Sequence, residues 1–177
     1  VKNIAKYKDF FTIAAKAKEE EILYLKEIAE YQFDYDVANA LFSSDSTFLI
    51  QRSKNTGKIR NIFVNNESNL YLVLRAQDML FSLTPLSAKV IINSSDFPRH
   101  RVVIDSSIES FIREGRNVFA KHVKIADPNI RGGDEVVVVN QNNILVGIGK
   151  AKISGEEMME YKRGVAVHVK RGVMSNE

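Results

Sequence analysis

The sequence predicts a two-domain α+β protein: an N-terminal α/β domain built on an antiparallel sheet, then a small β-barrel. Three observations carry this. Apolar residues recur every three or four positions in the first part of the chain, and from Ser46 the pattern changes to short extended runs separated by turn residues. A polar stretch, NSSDFPRH at residues 93–100, divides two segments of different texture. Beyond it come many short strands with turns at close spacing, the pattern of a closed or nearly closed barrel. The division expected on this reading is residues 1–95 and 96–177.

Each element follows from local chemistry. In AKAKEEEILYLKEIAEYQF, Ile22, Leu25, Ile28 and Ala29 form one apolar helical stripe, and Glu19, Glu20 and Glu21 place negative charge at the helix start, which reads as solvated. DYDVANALF reads as a short second helix. STFLIQRS, KIRNIFV and LYLVLRA are strands joined by turns at Lys54–Gly57 and Asn65–Ser68, where Asn and Gly accept the positive φ of tight hairpins. LFSLTPLSAKVI is a strand followed by a helix opening at Pro85.

In the second segment RVVID is a strand, Ser106 or Asp105 caps SIESFIREG, and Gly115 ends that helix. Gly132 and Gly133 permit a tight turn before the doubly buried strand GDEVVVVN. Residues 140–143 turn into ILVGIGKAKI, where Gly147 and Gly149 allow a bend or the close approach of another backbone. SGEEMMEYK is a capped helical turn, and GVAVHVKRGV alternates strictly, with Val165, Val167 and Val169 on one face.

Composition excludes several function classes. No apolar run approaches the roughly 20 residues that span a bilayer, and the leading VKNIAKYKDFF lacks the apolar core of a secretory signal. The absence of cysteine removes disulfides, thiolate zinc sites and cysteine nucleophiles, and suits a cytoplasmic protein. The histidines (His100, His122, His168) have no metal-ligand spacing, so no metal site and no cofactor are expected. No nucleophile elbow, phosphate loop or singled-out carboxylate pair marks a catalytic residue, and the chain is expected not to be an enzyme. Residues 1–96 hold 12 Lys/Arg and 12 Asp/Glu, while residues 97–177 hold 13 and 10, so the net charge of +3 resides in the second segment. That mild, local excess fits a small phosphate-contacting face.

The candidate residues follow the cations. Gly115, Arg116, Asn117, Lys121, His122 and Lys124 set charges and polar groups beside exposed backbone amides, a set that suits phosphate oxygens. The same stretch also reads as core, through Val118, Phe119, Ala120 and Val123, with cations on a solvated edge. Lys162-Arg163 and Lys170-Arg171 bracket the last strand, either as ordinary strand-end charge or as a rim shared with Arg116 and Lys121. Arg52, Lys54, Lys58 and Arg60 cluster at one hairpin, as edge protection or as a second phosphate patch.

The stretch FIREGRNVFAKHVKIADPNIRGGDEVVVVNQNNILVGIGKAKISGEEM, with the closing KRGVAVHVKRG, resembles a PUA domain over about Arg101 to Val173. IAEYQFDYDVANALF, IQRSKNTGKIRNIFV and DMLFSLTPLSAKVI are similar to the domain that precedes PUA in archaeosine tRNA-guanine transglycosylases. The resemblance covers roughly residues 28–173. It implies a pre-PUA domain followed by a PUA barrel in a cytoplasmic archaeal protein that binds structured RNA, most naturally tRNA at its acceptor stem and 3′ end. Arg116, Asn117, Lys121 and Lys124, helped by Arg163, Lys170 and Arg171, would contact RNA, and Arg52, Lys58 and Arg60 a second RNA region. The family's catalytic barrel and cysteine-rich zinc site have no counterpart in this sequence. The resemblance therefore implies a non-catalytic subunit or relative of the archaeosine modification machinery. The alternatives are a module that docks a separate transglycosylase-like catalytic subunit, or a PUA protein acting on rRNA or in translation.

Overall fold

The structure, a computed structural model, describes residues 10–174, so the reading of the leading segment lies outside the described residues. The chain divides into two compact units that part between Ser87 and Ala88.

The first unit is a five-stranded sheet in the order β1 (Ala15–Lys16), β2 (Phe48–Arg52), β3 (Ile59–Val64), β4 (Leu70–Leu74) and β5 (Phe81–Leu83), antiparallel throughout. The expected turns are present, with Gly57 and Asn65 both at positive φ. Helices α1 (Glu19–Gln32) and α2 (Tyr35–Leu41) join this sheet through specific bonds. Leu25 and Ala29 are buried as the stripe requires, and Ile22 and Ile28 are half-buried. The Gln32 carboxamide donates to the Phe81 carbonyl (2.9 Å) and accepts from the Phe81 amide (2.6 Å), so a side chain acts as the next strand beside β5. Tyr71 Oη donates to the Leu41 carbonyl at 3.1 Å, and its burial pushes the phenol well above its ordinary pKa. Phe42, Phe48 and Phe81 meet at ring separations of 5.3 and 6.0 Å. The acidic helix start differs from the expectation. Glu21 is largely buried, accepts from the Lys18 amide and pairs with Arg52.

Helix α3 (Pro85–Ser94) opens at the expected proline and spans the division between the units. The second unit is a nearly closed six-stranded barrel, in the order β7 (Val118–Phe119), β11 (Val165–Gly172), β10 (Leu145–Ala151), β9 (Glu135–Val139), β6 (Arg101–Ile104) and β8 (Val123–Ala126). Only the β6–β9 pair is parallel. Val102, Ile104, Ile112, Val136, Val138 and Val167 lie in its core. Asp105 caps a 3-10 turn (Ser106–Ile108) that leads into α4 (Glu109–Arg113), and Ser154 caps α5 (Gly155–Glu160) with a reciprocal bond from Glu157.

Close backbone approach explains Gly149, where an added Cβ would lie 2.3 Å from the His168 carbonyl oxygen beside a bulge in β11. In β11 the strict alternation fails at Ala166, which is fully buried, because the pairing with β7 slips between Val165 and Val167. Arg101 opens β6 yet is only 1% exposed. Its guanidinium donates to the carbonyls of Ile92, Ser95, Asp96 and Arg99 and to the side-chain oxygens of Ser95 and Asn143. It thus satisfies carbonyls left open at the end of α3.

Candidate nucleic-acid interface

Helix α4 ends as a Schellman motif. The Gly115 amide donates to the Ile112 carbonyl (2.9 Å) and the Arg116 amide to the Phe111 carbonyl (3.0 Å), with Gly115 at φ 88°. The apolar contact common in this motif is replaced by a cation on a ring, with Arg116 Cζ 5.9 Å from the Phe111 centroid. The Arg116 side chain remains 71% exposed, and its contact with Glu114 is 3.8 Å and solvated. One residue on, the Asn117 Oδ1 accepts the Val169 amide at 3.1 Å. Its carbonyl oxygen therefore extends the short β7–β11 ladder, while Arg116 stays outside.

Edge strand β7 turns Val118 inward and Phe119 outward. Past it the Ala120 amide donates to the Gly164 carbonyl (2.9 Å), which brings exposed Lys121 to the exposed Lys162-Arg163 end of β11. Antiparallel pairing puts Lys170-Arg171 at the opposite end, beyond Asn117. At about 3.3 Å per residue, the two ends of β11 are roughly 20 Å apart. The cations therefore form two groups along one barrel edge, with Phe119 between them.

Not every candidate cation is available. Lys170 Nζ lies 3.0 and 3.4 Å from the two carboxylate oxygens of Glu135, whose side chain is completely buried. Lys124 bonds Asp105 at 2.7 Å. That bond, followed by the Ser107 amide, holds the Asp105 carboxyl well below the ordinary carboxylate range. His122 is half-buried, and its carbonyl accepts the Asp105 amide. Arg116, Lys121, Arg163 and Arg171 are exposed.

In the first unit, Arg52 pairs with Glu21 and donates to the Gly57 carbonyl. Arg60 donates to the Ile59 carbonyl and approaches the Met79 sulfur at 3.9 Å. Lys58 is exposed, but its neighbours are committed to holding the hairpin.

Sequence reasoning missed the aromatic component. Phe111 is 50% and Phe119 46% exposed, the first on α4 beside Arg116 and the second within the cationic segment. The signal was the inward Val118, since a strand that turns one side chain in turns the next one out. Among the described residues no group of three or more His, Cys, Asp or Glu side chains could hold a metal ion, and no helix is long and apolar enough to cross a membrane.

Residues 24–98 match the patch-forming domain C2 of tRNA-guanine transglycosylase, and residues 100–173 match the PUA domain. The chain is a C2 domain joined to a PUA domain. This pair is an RNA-binding module related to the C-terminal part of the archaeal tRNA-guanine(15) transglycosylases. It is 39% identical over 148 residues to that enzyme from Methanothermobacter thermautotrophicus, covering 84% of this chain and 22% of the relative. With the Thermococcus kodakarensis enzyme it shares 39% identity over 163 residues, covering 92% and 27%. The C2-PUA chain thus spans about a quarter of the length of the curated relatives it matches, and that quarter is non-catalytic. Its fold is shared with a hypothetical protein of Pyrococcus horikoshii OT3, at a TM-score of 0.71 and 21% identity over 92% of this chain and 96% of that one. A conserved PUA domain protein of Thermoplasma acidophilum gives 0.62 and 18%, over 90% and 93%.

Proposed function

We propose that this C2-PUA chain binds tRNA at the acceptor stem and its unpaired 3′ end, as a non-catalytic component or relative of archaeosine-type modification machinery. One observation carries the reading: along the β7–β11 edge, exposed cations flank exposed phenylalanine rings. Arg116, Lys121, Arg163 and Arg171 suit phosphates, and Phe111 and Phe119 offer faces to unstacked bases. Duplex RNA supplies phosphates but keeps its bases stacked, so a surface with both components favours a helix that ends in single strand. The archaeal relatives are named for tRNA-guanine(15) transglycosylation, which makes tRNA the first substrate to test. The hairpin cations favour a structural role over a second RNA contact, given the partners of Arg52 and Arg60.

The test is fluorescence anisotropy with an acceptor minihelix that carries a four-nucleotide 3′ overhang, against the same helix made blunt. Base stacking on an aromatic ring is worth about 1–3 kcal/mol. Phe119→Ala is expected to weaken overhang binding by roughly 5- to 150-fold at that value, and blunt binding little. Equal affinity for both RNAs in the unmutated protein contradicts the proposal.

A further inference from the structure

The first unit carries a second surface of opposite character. Residues 19–41, which hold α1 and α2, contain seven carboxylates and a single lysine, in a chain whose net charge is +3. On the same helices Leu23 (59%), Tyr24 (44%), Tyr31 (84%) and Tyr35 (63%) are exposed. Helices of a soluble domain ordinarily turn such residues to the core. Here α1 buries only Leu25 and Ala29 completely.

The flank of α1 is also concave. One groove lies between α1 and the β2–β3 hairpin, walled by Glu20, Tyr24, Lys58 and Met79. A second lies between α1 and the turn before β5, walled by Tyr24, Glu27, Tyr31 and Met79. They share Tyr24 and Met79, so a continuous trough follows the helix from Glu20 to Tyr31, roughly 16 Å at 1.5 Å per residue. Met79 stands at the junction with φ 59°, a left-handed conformation rare for a long side chain. Two of the charges around the trough are already neutralised, Glu21 by Arg52 and Asp78 by Arg75. Glu27 remains exposed along it, as does Glu20, whose 3.9 Å contact with Lys18 is solvated, and Lys58 is the exposed cation on the hairpin wall.

We infer that this trough docks a basic, amphipathic α-helix of a protein partner. Three turns of helix fit its length, with an aliphatic stripe against Tyr24, Met79 and Tyr31 and flanking Lys or Arg toward Glu20 and Glu27. Tyrosines that are large and rigid with a polar tip are typical anchors of such contacts. Strand addition is closed at β5, where the Gln32 carboxamide already occupies the edge groups of Phe81. RNA is disfavoured by the carboxylates, and a second copy of this chain would set two acidic faces against each other.

The probe is a synthetic 18-residue helical peptide with leucines at i, i+3, i+4 and i+7 flanked by lysines, compared by calorimetry with its glutamate-flanked counterpart. The lysine peptide is expected to bind and the glutamate peptide not. Tyr31→Ala and Glu27→Lys, both at exposed positions, are expected to weaken binding at least tenfold without lowering the melting temperature. The RNA-binding reading is separated by Arg116→Glu, which should leave peptide affinity unchanged, while Glu27→Lys should not weaken tRNA. Equal binding of both peptides, no binding, insensitivity to Tyr31→Ala, displacement by tRNA, or self-association lost in Tyr31→Ala would each overturn the inference.

Discussion

Replacing Lys170 with methionine separates a cation that builds the barrel from one that touches RNA. The Glu135 side chain is 0% exposed and Lys170 33%, with Nζ at 3.0 and 3.4 Å from the carboxylate oxygens. Methionine keeps the stem but strands the carboxylate in the barrel wall. Removing one partner of a buried pair costs about 3–5 kcal/mol. The outer third of Lys170 lets water approach, so the lower end, about 3 kcal/mol, is expected. A unit of this size melts about 4–8 °C lower per kcal/mol, giving a fall of roughly 12–24 °C. Glu135→Gln is milder, because the freed ammonium can turn outward on its flexible stem. Glu135→Leu with Lys170→Met should return to within about 1 kcal/mol of the original, since no charge is then left unpaired. Urea denaturation and thermal scans read these values, and anisotropy reads RNA affinity in the folded range. A Lys170→Met protein of unchanged stability that loses RNA as severely as Lys121→Met would refute the reasoning.

Two further outcomes follow from the geometry. Gly172→Ala places a Cβ 1.9 Å from the Arg113 carbonyl oxygen, while Gly132→Ala places one 3.4 Å from that of Lys152. The first is expected to cost about 3 kcal/mol or more and the second under about 1 kcal/mol, compared by urea midpoints. Asp105 titrates lower in the folded protein than its unfolded value near 3.9, so its contribution is present above about pH 4 and is lost as pH falls through the depressed folded pKa. Asp105→Asn should flatten the decline of stability between pH 4 and 2, and parallel curves would show that the Lys124 bond carries no linkage.

Much of the fold was legible in the sequence because it rests on local chemistry. The Leu25–Ala29 stripe, the hairpin turns at Gly57 and Asn65, the proline start of α3 and the glycine end of α4 are each dictated within a few residues. The failures share a physical cause, which is pairing across long separations. Glu21 reads as a solvated start but meets Arg52, and Lys170, which reads as strand-end charge or as part of a cationic rim, meets Glu135. Arg101 reads as the first residue of a strand and lies buried under the carbonyls that end α3. Asn117 reads as a phosphate contact, and the bond from the Val169 amide to its carbonyl oxygen, which sequence neighbours do not reveal, leaves its Nδ2 donors uncommitted to that role. Arg116 and Lys121 kept their exposure because their segment forms the outermost strand of the barrel. Phe119 passed as core because its run is apolar, although a two-residue strand must show one side chain to solvent.

The most direct test of RNA binding at the β7–β11 edge is tRNA affinity measured across a salt series for the unmutated protein and for Arg116→Glu with Lys121→Glu. Phosphate contacts release counterions, and each contributes about 0.7–0.9 to the slope of log affinity against log salt. The double variant should stay folded, bind at least tenfold more weakly at low salt, and lose roughly 1.4–1.8 from that slope. Unchanged affinity and slope would contradict the assignment of this edge to RNA.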